Sequence, residues 1–328
     1  MPSRLIASLL FLSCISLGHL SYGQRIIGDV PVSWIGHKAS PSQCDQEGRF
    51  LYRPDYRPEK EDHQSVVRVN QDGSTALFQI PDEKDRVTVF ASVHDGLIVI
   101  AAPLGQPSGV FHFYHFDRKG KVVAQHTVSF SFMPAVLSVI SPGKTLLVGY
   151  LRNHGGRENL KPVGAFLDGN DNVTQLFEFP PTAAGGNWIA GFITAGDGVA
   201  YEILQSWGKP TYAIATIAES GSVNVNVLPV PQDPRARPFT WQLGPGVAVE
   251  DYTVDRELPD VIKFDEYDRA SGKYLRTKIT PPPAIPNGFP FVSCYLGDEI
   301  VVLVPRGDED QPSMHRVTFK LEAATSHN

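Results

Sequence analysis

Two histidines, His112 and His115, stand three residues apart in "FHFYHF" within this 328-residue chain. Imidazoles chelate a metal when they share a face. On an extended strand, residues three apart point to opposite faces, so these two cannot form a simple chelating pair. "DGNDNVTQLFEF", from Asp168, opens like a calcium loop, but Val173 stands where the tight turn needs glycine and Phe179 where the bidentate glutamate belongs. Asp, Asn and Gly together make a turn the better reading. "RGDEDQP", Arg306 to Pro312, offers Asp308 and Asp310, which as an exposed acidic loop need only water. No "GxSxG", "HExxH", phosphate-binding glycine loop or Cys-x-x-Cys occurs. The expectation is therefore no metal site and no cofactor, with catalysis less favoured than binding.

The segments around these residues fix the compartment first. Arg4, an apolar run from Leu5 to Leu20, and Ser21-Tyr22-Gly23 read as a secretory signal peptide over residues 1–23. The run falls short of the roughly 20 residues that span a bilayer, and no later segment is longer, so a soluble secreted or periplasmic protein without a transmembrane segment is expected. Lipidation at Cys14 is the alternative. Removing 1–23, whose sole charged residue is Arg4, takes the formal charge from −6 to −7. That balance argues against a nucleic-acid partner.

Glycine-bearing turns then recur between β-rich runs. One series falls at Gly48, Gly96, Gly143, Gly198, Gly246 and Gly297, and a second at Gly73, Gly120, Asn172, Gly221 and Gly272, each spaced 47 to 55 residues apart. Each period holds four strand-like runs, such as "VTVFASV", "LIVIAA", "VFHFYHF" and "VVAQHTV". A four-stranded antiparallel unit of this length, repeated around a circle, is the blade of a β-propeller. With strands lettered A to D from the axis outward, the first series joins A to B and the second C to D. The expected fold is all-β: one six-bladed propeller over residues 24–328.

The last period lacks an outer strand, since "EAATSHN" is too polar, whereas "RIIGDVPVSW" is apolar and otherwise unassigned. This N-terminal strand is expected to complete the sixth blade and close the ring. Cys44 lies four residues before Gly48 and Cys294 three before Gly297, equivalent places in blades one and six. Closure would make those blades neighbours, and an exported chain allows a Cys44–Cys294 disulfide; two unlinked buried thiols are the alternative.

The strand, Asp-x-x-Gly-like turn, strand pattern of "VRVNQDGSTALFQIP" and "YHFDRKGKVVAQHTV" resembles the six-bladed TolB-like and NHL-like propellers over nearly the whole mature chain. That resemblance implies a scaffold used for binding and, in a minority of cases, by hydrolases and lyases, so it selects no function by itself.

Blades of this kind put the A-to-B and C-to-D turns on one face and the longer connections on the other. Ligand sites favour long loops on a rigid frame. The candidates there are Tyr56, Arg57, His63, Arg152, His154, Arg157, Trp188, Trp207, Arg235, Arg237, Arg256 and Arg306. Seven of these twelve are arginines, which suits an anionic or carboxylate-bearing ligand, while the tryptophans suit a sugar. The favoured function is a binding scaffold for a protein, peptide or glycan, its ligand and oligomeric state unassigned. The alternative is a hydrolase or lyase whose acid and base come from separate blades, for example His63 or His154 with Asp255 or Asp308.

Overall fold

In the computed structural model the described residues are 26–33, 38–45, 47–55, 64–93, 96–105, 109–151, 161–180, 187–195, 198–206, 212–229, 238–243, 247–251, 263–268, 270–279, 292–296, 298–306, 313–320 and 322–323. The signal-peptide and Cys14 readings lie outside them. The chain begins with β1 (Ile26–Val32) and then lays down its sheets in order. Blade one is β2 (Lys38–Cys44), β3 (Phe50–Asp55), β4 (Ser65–Val69) and β5 (Thr75–Gln79). Blade two is β6 (Asp85–Val93), β7 (Gly96–Pro103), β8 (Val110–Asp117) and β9 (Val122–Ser129). Blade three is β10 (Phe132–Ser141), β11 (Lys144–Leu151), β12 (Pro162–Leu167) and β13 (Val173–Glu178). Blade four is β14 (Asn187–Ala195), β15 (Val199–Ser206), β16 (Tyr212–Ala218) and β17 (Val223–Val227). Blade five holds β18 (Pro238–Leu243), β19 (Val247–Asp251), β20 (Lys263–Tyr267) and β21 (Tyr274–Ile279). Blade six holds β22 (Val292–Tyr295), β23 (Glu299–Arg306) and β24 (Ser313–Lys320), and the two-residue β25 (Glu322–Ala323) follows.

The result is a β-propeller, with six antiparallel sheets among the described residues. The sixth has the order β22-β23-β24-β1, so the N-terminal strand is its outer member, as the apolar segment before residue 35 predicted. Inner strands touch around the ring from β6 to β10, β14, β18 and β22, and β22 meets β2. The polar tail, expected to form no fourth strand of blade six, instead places β25 against β21 on the edge of blade five.

The core lies between blades rather than in one central mass. Leu51, Val66 and Phe78 of blade one pack against Val99, Tyr114 and Phe116 of blade two. The opposite side of blade two, through Phe111 and Phe113, packs against Leu137, Leu147 and Ala165 of blade three. Similar layers join blades three and four, and blades six and one. Middle strands are thus covered on both faces, and β7 and β11 are almost unbroken apolar runs. Outer β9 has one covered face and alternates strictly.

Five inner strands break register near their starts: at Ser40/Ser42, Val87/Val89, Pro134/Val136, Ile189/Gly191 and Pro238/Thr240. An extra residue bends and twists a strand. Repeated in five successive blades, it bends these inner strands, whereas β22 pairs with β23 without a break.

Cys44, ending β2, and Cys294, within β22, form a disulfide with Cα atoms 5.6 Å apart across 250 residues. Closure is reinforced outside the bond. Arg316 of β24 donates to the Gly48 carbonyl at 3.3 Å, and Thr75 Oγ1 donates to the Ser33 carbonyl at 3.1 Å.

Candidate functional site

Ten of the twelve loop candidates, Tyr56, Arg57, His63, Arg152, His154, Arg157, Trp207, Arg235, Arg237 and Arg256, lie outside the described residues, as do Asp255 and Asp308. Trp188 is the second residue of β14, opposite Gln205, and Arg306 ends β23, opposite Ser313. Both positions fall at strand ends that lead to the long-connection face.

Among the described residues, histidines cluster with buried carboxylates on blade two, where β8 directs His112 and His115 to different faces as alternation requires. His112 Nδ1 lies 2.8 Å from Asp85 Oδ2, on the blade-one side. The Tyr114 hydroxyl donates to the same oxygen at 2.6 Å. Asp85 is fully buried at the start of β6, and its Oδ1 has no hydrogen-bond partner among the described residues. Burial, and then the bond to Asp85, push the Tyr114 phenol above its ordinary range.

On the blade-three side, His115 is joined by His126 of β9. A one-residue irregularity between His115↔Ala124 and Phe116↔Val122 sets the register, so that His126 pairs with Phe113 and sits diagonally beside His115. Their ring centroids are 5.7 Å apart. Into this pair reaches Asp171 from the β12–β13 turn of blade three. Its Oδ2 lies 2.7 Å from His115 Nε2 and 2.6 Å from His126 Nδ1. The Asp171 side chain is 1% exposed, against 22% for His115 and 36% for His126. The donor atoms of the three residues lie within 4.8 Å of one another.

The turn that carries Asp171 departs from its counterparts. Gly73, Gly120 and Gly221 each occupy the position whose amide donates to the carbonyl three residues earlier, at φ 79°, 81° and 83°. Asp171 makes the same bond to the Asp168 carbonyl at φ 61°, the lone non-glycine residue with positive φ among those described. A left-handed conformation disfavours residues with a β-carbon. Asp168 holds the loop from within by accepting the Asn170 and Asn172 amides, each at 2.9 Å, and those bonds depress its own carboxyl. The "DGND" stretch is therefore a turn, as the missing glycine and glutamate indicated.

His115 occupies the place that Arg68 holds in blade one, two residues before the outer turn. Arg68 reaches the Arg118 carbonyl in blade two's turn at 3.4 Å. The histidine cluster is thus built on a recurring blade-to-blade link. Sequence reasoning missed His126 and Asp171. The signals that could have found them are an aspartate in a glycine slot and a second histidine across the Gly120 hairpin.

No protein-family model and no curated protein matches this chain. Among solved structures, the subtype N11 neuraminidase-like protein of A/flat-faced bat/Peru/033/2010 (H18N11) aligns with TM-score 0.52 and 10% identity, covering 92% of this chain and 95% of its own. A streptogramin B lyase aligns with TM-score 0.47 and 11% identity, covering 90% and 97%. An oligogalacturonate lyase, solved with manganese, aligns with TM-score 0.45 and 10% identity, covering 87% and 78%. The chain is similar in fold to propeller-type proteins, and at such identities the likeness carries no activity.

Proposed function

We propose that this protein is an exported propeller that acts as a binding scaffold through its long-connection face, for an anionic glycan, peptide or protein surface. The observation that carries the reading is the asymmetry of the strand ends. On one face β10 passes to β11 through residues 142–143 alone, and the outer turns at Gly73, Gly120, Asp171 and Gly221 are tight and hydrogen-bonded. The strand ends at the other face are joined by longer segments, residues 56–64, 152–161, 228–237, 252–262 and 280–291, although β9 passes to β10 there through 130–131 alone. In the sequence those segments carry Arg57, Arg152, Arg157, Arg235, Arg237 and Arg256, and the proposal puts these guanidinium groups to use at that face of the cross-linked ring. Guanidinium groups from separate blades suit carboxylates spaced along an extended ligand. The disulfide is what an oxidising compartment permits.

The test is a thermal-shift series on residues 24–328 with glucuronate-containing oligosaccharides, citrate and acidic peptides. A ligand that binds the native state raises Tm. The expected result is a dose-dependent rise for one class, lost in R152A/R157A/R235A/R237A and kept in the turn-face control K119A/K121A. A rise that survives the arginine substitutions, or no rise with any of the three classes, would count against this face.

A further inference from the structure

We propose that His115, His126 and Asp171 form a divalent transition-metal site, of zinc type, bridging the second and third blades. The ligand set is two neutral imidazole nitrogens and one carboxylate oxygen. This N2O chemistry selects zinc and its neighbours over calcium or magnesium, which prefer oxygen alone. His115 Nε2, His126 Nδ1 and Asp171 Oδ2 already converge within 4.8 Å.

Without metal, one carboxylate oxygen serves both rings, at 2.7 and 2.6 Å. Bonds of about 2.0–2.2 Å to a tetrahedral ion would place neighbouring donor atoms roughly 3.4 Å apart. The carboxylate oxygen must therefore draw back from each ring by under about an ångström while the two imidazole nitrogens, within 4.8 Å of each other, close toward that spacing, which rotations of two partly exposed imidazoles supply. An imidazole that carries its hydrogen on the other ring nitrogen presents the lone pair that metal ligation uses. Three protein ligands leave a fourth position, and the exposure of His126 directs it to water.

The backbone supports a specific role for the carboxylate. Asp171 replaces the glycine found at this turn in neighbouring blades and is still held at φ 61°. Its carboxylate is buried against two imidazoles on the adjacent blade rather than left in solvent. A metal here would tie blade to blade on the short-turn face, far in the chain from the Cys44–Cys294 staple.

D171G provides the test because glycine suits that turn, so the variant removes a ligand without threatening the backbone. Tag-free protein, residues 24–328, would be stripped with chelator and titrated with zinc by calorimetry, and with cobalt by its visible absorption. The expected result is one equivalent bound by the native sequence, with tetrahedral-type cobalt bands and a zinc-dependent rise in Tm. Affinity should fall at least tenfold in both D171G and H126Q. Two results would overturn the site: no zinc bound by the native protein, leaving a hydrogen-bonded latch, or zinc bound equally by D171G.

Discussion

Gly73, in the outer turn of blade one, packs so closely against the backbone carbonyl of Pro31 in β1 that no β-carbon fits between them. The contact joins the strand that completes blade six to the first blade of the ring. Gly143 has a similar φ, 74° against 79°, yet open space where a β-carbon would stand. G143A should therefore cost only the left-handed penalty, about 1–2 kcal/mol. G73A carries the same penalty plus a collision with main chain and should cost clearly more. Chemical denaturation of both variants checks the difference, and equal losses would show that β1 yields without cost.

Deleting residues 24–34 removes β1 entirely. That uncovers the edge of β24 and the layer in which Val32 and Met314 pack against Val67 and Val69 of blade one. An unpaired edge also invites pairing between chains. The expected result is a drop in Tm of about 5–10 °C with a greater tendency to aggregate. An unchanged melting temperature would contradict closure by this strand.

The Asp85–Tyr114 bond gives an alkaline signature. The phenol is raised in the folded state by burial and by its carboxylate partner. Below a pH of about 10 both folded and unfolded chains keep the proton, and this contribution to stability is whole. Above it the unfolded chain releases a proton that the folded one retains, so stability falls as pH rises. Y114F should lose about 1–3 kcal/mol at neutral pH and show a shallower decline between about pH 9 and 11. Parallel declines in the two proteins, followed by urea unfolding, would contradict the assignment.

The periodic turns were legible because glycine is the residue that tolerates positive φ, and Gly48, Gly73, Gly120, Gly143, Gly198, Gly221 and Gly272 adopt it; Gly96 instead opens β7 without it, and in blade three Asp171 rather than the expected Asn172 takes the position. Ring closure followed from the apolar character of β1 and the matched places of Cys44 and Cys294. β25 was not legible, since Lys278↔Ala323 and Ile279↔Glu322 pair through the main chain and leave no hydrophobic pattern. The histidine–aspartate cluster was hidden for a related reason. Opposing alternation separates His112 from His115 correctly, but only the irregularity beside Val122 places His126 next to His115. Asp171 then arrives from another blade, 45 residues beyond His126.

The arrangement of blades is tested most directly by mass-spectrometric mapping of residues 24–328, unreduced and denatured. Cys44 and Cys294 can bond across 250 residues only where the first and last blades adjoin, as their 5.6 Å Cα separation requires. The predicted result is a single cross-linked pair of peptides carrying Cys44 and Cys294, no free thiol, and a loss of about 5 kcal/mol on reduction, the loop-entropy value. Two free thiols in residues 24–328 would contradict it.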